Sequence, residues 1–365
     1  MEPFLSICIP TYNRGKIVYD TVCNTLKSDR DDIEVVVSNN CSTDDTEELL
    51  MQIKDERFKY YRNEYNNGAD NLISVLTYAH GEYLLLISDE DEVVLRNLDT
   101  YIGELKKYSP AVMHGTSAVN RYRYATFGDR YVKDCYEALK ILGFRITYMS
   151  GFIYKRSAMK KVLGEISGTD IERRMGYGYN FLNLARRMVE YGVLLTKSEI
   201  LTTQRVCGKR DMGTHFDGGV CSYSPEYRLT VLEDAVNDLV VINSITQKQK
   251  YKIIEMYKDE VVYETAIWDY MQTYTGKGKL ATKREREYKL AEYYSANKAK
   301  VIGIKFYIRL YGNLKKSNRF IDKSEIFKES YRTVRFKYLF DTIKIYARRY
   351  ERLRNFTLEK YIMER

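Results

Sequence analysis

"YLLLISDEDEVV", Tyr83–Val94, runs the most hydrophobic strand-like segment of the chain's first half into four consecutive acidic residues. A continuous apolar run of this length, bounded by turn residues, reads as a strand buried on both faces, as in parallel sheets. Like charges at its end repel one another. Asp89, Glu90, Asp91 and Glu92 are therefore either a solvated turn or half of a cation site.

The flanking sequence repeats the strand theme. "FLSICIP" (4–10), "IEVVVS" (33–38) and "FKYYRNE" (58–64) are further strand candidates. Between them lie helical stretches: "TYNRGKIVYDTVCNTL" (11–26), "NNCSTDDTEELLMQI" (39–53) and "YNNGADNLISVLTYAHG" (65–81). Ser42 with Asp45 three residues on predicts a capping box for the second helix. Strand and helix in alternation predict an α/β fold with a mostly parallel sheet flanked by helices. Such sheets bind ligands at the carboxyl ends of their strands. "PTYNR" (10–14), "SNNCSTDD" (38–45) and "SDEDE" (88–92) all fall at those ends, which locates a candidate site in the first half.

Further on, "TYMSGFIYKRSAMKKVL" (147–163) reads as a strand or turn entering a helix. "NFLNLARRMVEYG" (180–192) reads as a helix and "VLLTKSEIL" (193–201) as a strand. From Pro225 helical patterns take over, which predicts a first domain at 1–224 and a basic, Tyr-rich helical domain at 225–365.

Composition narrows the class. At 365 residues, 44% hydrophobic and 30% charged, the chain suits a large core and not a disordered coil. No stretch approaches the roughly 20 apolar residues of a membrane span. The N-terminus lacks a basic start followed by a long apolar region, so no export signal is read and a cytoplasmic location is expected. Six scattered cysteines without a C-x-x-C pair, and three histidines, argue against a zinc site or a disulfide framework. The net charge of +9 is uneven: residues 276–365 hold 25 Lys and Arg against 10 Asp and Glu, leaving −6 for the first 275. That tail admits three readings: nucleic-acid binding, contact with an anionic membrane, or a packed helical cap or dimer contact. No nucleic-acid motif is present, so no nucleic-acid partner is expected.

"SICIPTYNR", "IEVVVSNNCSTDDT" and "NNGADNLISVLTYAHGEYLLLISDED", in this order and spacing, resemble the inverting family 2 glycosyltransferases of GT-A fold. The match is good over about the first 95 residues and loose over the next hundred. The resemblance implies transfer of a sugar from a nucleotide-diphosphate sugar, UDP-linked by preference, to a glycan or lipid-linked acceptor, in surface polysaccharide synthesis. It also implies Mn²⁺ or Mg²⁺ on Asp89 and Asp91. A hard divalent ion suits carboxylate oxygens and offsets the charge of a departing diphosphate. Asp91 is the expected direct ligand, Asp89 leans toward the ribose and a bound water, Ser88 and Glu90 complete the motif, and Glu92 faces solvent or caps the next helix. Taken alone, the same DED is a solvated acidic turn.

By the same resemblance Pro10, Thr11, Tyr12 and Arg14 line the nucleotide pocket, with Tyr12 stacking on the base. Asn39 stands where many members carry Asp, and Asn71 faces the donor; each is also ordinary turn chemistry. In "CGKRDMGTHFDGG", Lys209 and Arg210 are candidates for gripping the diphosphate and His215 for completing the metal site. Inversion needs a carboxylate base, which many members place as Glu-Asp at a helix start. Asn180 occupies about that position here, so Asp170 or Glu172, in "SGTDIERR", is the candidate, with Ser150 and Gly151 as an acceptor-side turn. Two other readings compete. One is a sugar nucleotidyltransferase, which wants a Gly-rich basic loop in place of "PTYNRGK". The other is a GT-A relative that binds or assembles without catalysis, as Asn39 and the missing Glu-Asp pair suggest.

Overall fold

The computed structural model describes residues 2–119, 122–124, 127–144, 146, 148–165, 179–205, 216–217, 220–221, 225–250, 252–254 and 256–257. The chain divides into two compact units, one of residues 1–214 with 234–253, the other of 215–233 with 254–365. In the second unit a two-stranded antiparallel ladder pairs Phe216–Asp217 with Val220–Cys221. Most of the tail expected to be helical lies outside the described residues.

The first unit is built on one large sheet. Four strands predicted from their apolar runs form its parallel half: β1 (Leu5–Thr11), β2 (Ile33–Asn39), β3 (Phe58–Arg62) and β4 (Tyr83–Leu86). They are ordered β3-β2-β1-β4. Helices α1 (Gly15–Thr25), α2 (Thr46–Leu50) and α3 (Asn71–Tyr78) provide the connections. Strands β1, β2 and β4 are buried along nearly their whole length, as parallel strands covered on both faces must be.

Beyond β4 the sheet turns mixed. The short β5 (Asp91–Val93) leads to α4 (Leu98–Tyr108) and β6 (Val112–Val119). Then come β7 (Tyr122–Tyr124), β8 (Arg130–Val132), α5 (Cys135–Ile141), β9 (Phe152–Lys155), α6 (Arg156–Glu165), α7 (Asn180–Met188) and β10 (Leu194–Gln204), with α8 (Pro225–Val241) last. The order continues β4-β9-β6-β10-β5, with β7 on β6 and β8 on β10. Strand β9 is antiparallel to both neighbours. Strand β10 runs parallel to β6, and its last residues turn antiparallel against β5, pairing Gln204 with Asp91. The predicted strand 193–201 is thus three residues longer at its carboxyl end, because β5 gives it a partner there.

The capping box is a correction. Helix α2 starts at Thr46, and the Ser42 hydroxyl instead accepts from the Asn13 backbone N–H (2.9 Å). Asp44 takes over the helix start, its carboxylate accepting from the N–H groups of Thr46 (3.1 Å) and Gly15 (3.2 Å). The loops after β1 and β2 are tied together by these bonds, reinforced by Thr43 N–H donating to Asn13 Oδ1 (2.8 Å).

Two buried ionisable groups make stability pH-dependent with opposite signs. His114 on β6 sits edge-on to Phe152 (4.8 Å between ring centres) with no hydrogen-bond partner at Nε2, and burial lowers its pKa to about 4. Unfolded, it takes its proton near 6.5, so it withdraws stability as pH falls from 6.5 to 4. Burial raises Asp238 to about 6 against the pull of Arg187 and Arg186. This carboxyl keeps its proton longer in the folded chain and so adds stability as pH falls from about 6 to 3.8. His114→Gln is expected to gain stability relative to wild type on acidification from pH 6.5 to 4. The difference should approach about 3 kcal/mol, read from denaturant unfolding at each pH.

Candidate active site

The carboxyl ends of β1, β2 and β4 converge, and the acidic motif sits where they meet. Asp89 is buried and held from the β1 side. Thr11 Oγ1 donates to Oδ2 (2.8 Å) and Arg14 Nη1 to Oδ1 (3.0 Å). The same Arg14 nitrogen reaches Glu90 Oε2 (3.3 Å). Burial works to lower the Arg14 pKa, but Asp89 and Glu90 outweigh it and hold the guanidinium above its ordinary value. Burial also raises Asp89, despite Arg14 and the Thr11 hydroxyl. Thr21 on α1 donates to the Asp89 carbonyl (2.6 Å), and Arg205 Nη2 in turn donates to Thr21 Oγ1 (2.9 Å).

Asp91 has a different environment. It is fully buried, with the Tyr148 hydroxyl on Oδ1 (2.5 Å) and the Ser150 hydroxyl on Oδ2. Burial pushes its pKa up to about 7; the two hydroxyls oppose that, while Glu90 and Asp89 add to it. Glu90 accepts from Gln204 Nε2 (3.2 Å) at the end of β10. Glu92 caps no helix: partly exposed, it accepts from Asn24 Nδ2 (2.8 Å) on α1 and lies 3.9 Å from Arg205 Nε. The four acids thus have four distinct surroundings.

The two Asp carboxylates offer hard oxygen donors, and Asp91 has hydroxyl partners but no positive side chain on either oxygen. That donor set fits two ligands of a divalent cation whose other positions go to phosphate and water. Among the described residues no group of three or more His, Cys, Asp or Glu side chains is arranged around a metal position. His215, Lys209, Arg210, Asp170 and Glu172 lie outside the described residues.

The structure brings Pro10, Thr11, Tyr12, Arg14, Asn39, Ser88, Asp89, Glu90 and Asp91 to one edge of the sheet. Tyr12 is exposed, next to Asn13 in a left-handed turn (φ 52°). Asn39 is buried, its Oδ1 accepting from Ser42 N–H (2.9 Å) and its Nδ2 donating to Tyr60 Oη (2.9 Å). Asn71 spends its amide inside the protein. Its Oδ1 accepts from Ser38 Oγ (2.5 Å) and Asn63 Nδ2 (2.9 Å), and its Nδ2 donates to Ser38 O (2.9 Å) and Thr11 O (3.4 Å). Its observed contacts make it a clasp between β2, β1 and α3. Asn180, at the start of α7, donates to Ala69 O (3.0 Å).

Sequence reading missed Tyr148, Thr21, Gln204 and Arg205. Each meets the motif from 57 or more positions away, and none sits in a motif of its own. The turn at Ser150 and Gly151 was visible as a close approach, but its bond to Asp91 was not.

Residues 6–163 match the sequence model of glycosyl transferase family 2. Over that segment the chain is similar to family 2 glycosyltransferases, and its mixed sheet flanked by helices is of the GT-A kind. The "GalNAc(5)-diNAcBac-PP-undecaprenol beta-1,3-glucosyltransferase" of Campylobacter jejuni is 32% identical over 102 residues, which are 27% of this chain and 33% of that protein. The abequosyltransferase RfbV of Salmonella typhimurium is 33% identical over 108 residues, 27% of this chain and 32% of that one. The chain spans about a third of the length of these curated relatives. Among solved structures, S. aureus TarS 1–349 in complex with UDP-GlcNAc superposes with a TM-score of 0.57 at 16% identity, over 87% of this chain and 92% of that one. That likeness concerns the fold.

Proposed function

We propose that this protein transfers a sugar, with inversion, from a nucleotide-diphosphate sugar to a glycan or lipid-linked acceptor in surface polysaccharide synthesis. A UDP-linked donor and a divalent cation belong to this reading. The observation that carries it is the buried Asp89–Asp91 pair at the carboxyl edge of the sheet, oriented by Thr11, Arg14, Tyr148 and Ser150. The glucosyl- and abequosyltransferase names of the relatives support the reaction class.

In this reading the exposed ring of Tyr12 stacks on the base. Arg14 balances Asp89 and Glu90, and Asp89 and Asp91 hold the cation. When bound, that ion neutralises charge on the departing diphosphate. Asp170 or Glu172 takes the acceptor's proton. No helix among the described residues is long and apolar enough to cross a membrane. The basic tail is the proposed contact with the inner membrane face where a lipid-linked acceptor resides, or with a second copy of the chain.

Calorimetry with UDP tests the donor site: removing the divalent ion with a chelator is expected to weaken UDP affinity at least about 10-fold. Affinity equal in Mn²⁺ and chelator would refute the metal-dependent reading. A second reading, donor binding without catalysis, draws on Asn180, whose amide is engaged with Ala69 and supplies no carboxylate at the start of α7. UDP release from a panel of UDP-sugars with acceptor lipid would dismiss it.

A further inference from the structure

The turn that carries the acidic motif is closed by the Asp91 N–H on Ser88 O (3.1 Å), which leaves Asp89 and Glu90 as its two central residues. Their peptide groups are rigid planes, so the tilt of those planes sets the direction in which the Asp89 and Asp91 side chains leave the backbone. A donor from outside the turn bonds each plane. The Glu90 carbonyl accepts from the Arg205 N–H (3.1 Å), and the Asp89 carbonyl accepts from the Thr21 hydroxyl (2.6 Å).

The Thr21 hydroxyl points in an unusual direction. A threonine inside a helix commonly returns its hydroxyl to the carbonyl four residues back. Thr25, one turn further along α1, does so, donating to Thr21 O (2.8 Å). For Thr21 the corresponding carbonyl is Ile17 O, and Arg205 Nη2 occupies it (2.7 Å). The same nitrogen donates to Thr21 Oγ1 (2.9 Å). A guanidinium only donates and a hydroxyl has a single proton, so the Thr21 proton is left for Asp89 O. Arg205 therefore reaches the turn twice, through its own N–H at Glu90 and through Thr21 at Asp89. The other charges that face its side chain are further off, Asp20 at 3.8 Å and Glu92 at 3.9 Å.

We infer that Arg205 is a positioning residue for the donor site: by turning the Thr21 hydroxyl away from its own helix it sets the tilt of the Asp89–Glu90 peptide, and with it the aim of the two carboxylates. This rests on the donor site proposed above. The Arg205 side chain then acts on ion binding through the Thr21 hydroxyl. Once that hydroxyl is gone, removing the guanidinium costs the ion nothing more.

The test uses the full chain, with protein-bound Mn²⁺ read by electron paramagnetic resonance, with Mn²⁺ alone and with Mn²⁺ plus UDP. Thr21→Val keeps the side-chain volume, loses the hydroxyl, and is expected to bind Mn²⁺ about 10-fold more weakly, the scale for losing an outer partner of a metal ligand. Thr21→Ser keeps the hydroxyl and is expected to bind as wild type does. Arg205→Met is expected to bind about 10-fold more weakly, and the double variant with Thr21→Val no more weakly than either alone. A guanidinium that merely braced α1 against Asp20 and Glu92 would give losses that multiply to about 100-fold. The serine and valine variants carry the test even where Arg205→Met fails to fold. Multiplying losses, or equal Mn²⁺ binding in Thr21→Val and Thr21→Ser, overturns the inference while the donor reading stands. A wild-type chain that takes up no Mn²⁺ with or without UDP overturns the donor reading and this inference with it.

Discussion

Asp91→Asn is expected to lower sugar transfer by on the order of 10³-fold while leaving the protein as stable as wild type or more so. On the proposed function the two effects separate, because the carboxylate then serves a ligand and not the fold. It is fully buried, and its partners are two neutral hydroxyls. Taking a charge out of water with such partners costs several kcal/mol, a cost that a neutral amide of the same shape avoids. The amide oxygen still accepts from Ser150 and its nitrogen can donate to the Tyr148 oxygen, so no buried group is stranded. What the amide lacks is the negative charge that a cation seeks. A thermal melt and a transfer assay on the same preparation check this. Parallel loss of stability and activity would mean that Asp91 serves packing, and the proposed role would fall. Trading stability for a site of this kind is a common pattern in enzymes.

The second large effect is structural. Gly151 has φ +101°, and a Cβ built there lies 2.5 Å from the carbonyl oxygen of Gly115. Gly151→Ala therefore meets both a backbone conformation that L-residues avoid and a collision with an oxygen that side-chain rotation cannot move. The expected loss is about 3 kcal/mol or more in denaturant unfolding. Gly68→Ala is the control: its φ is +60° but nothing lies within 4 Å of the added Cβ, so about 1 kcal/mol is expected. Equal losses at the two sites would show that the Gly115–Gly151 approach is not tight. Because Gly151 follows Ser150, its variant should also blunt any activity that remains.

The parallel half of the sheet was legible because β1, β2 and β4 announce themselves as runs of apolar residues between turn residues. The place of the site was legible for the same reason, since the polar interruptions mark the carboxyl ends. What the sequence concealed is long-range. Asp91 belongs to a three-residue strand that exists because Gln204, Thr203 and Thr202 pair with it from far along the chain. No local pattern records that partner, so "SDEDE" reads as a loop. Ser42 shows the limit of local rules: a capping box was written in the sequence, but the hydroxyl was claimed by Asn13 from the neighbouring loop. Asn71 follows the same logic, with its amide used up between strands.

Strand β5 also ends the path of the sheet. An open terminal strand is a template on which another chain can add, and proteins blunt such margins with short length and charge. Here the margin is three residues long and carries Asp91 and Glu92, and the opposite margin, β3, carries Lys59 and Arg62. Asp91 is buried, so the charge that blunts this margin is the partly exposed Glu92. Glu92→Gln is therefore expected to trade away some solubility of the partly unfolded chain.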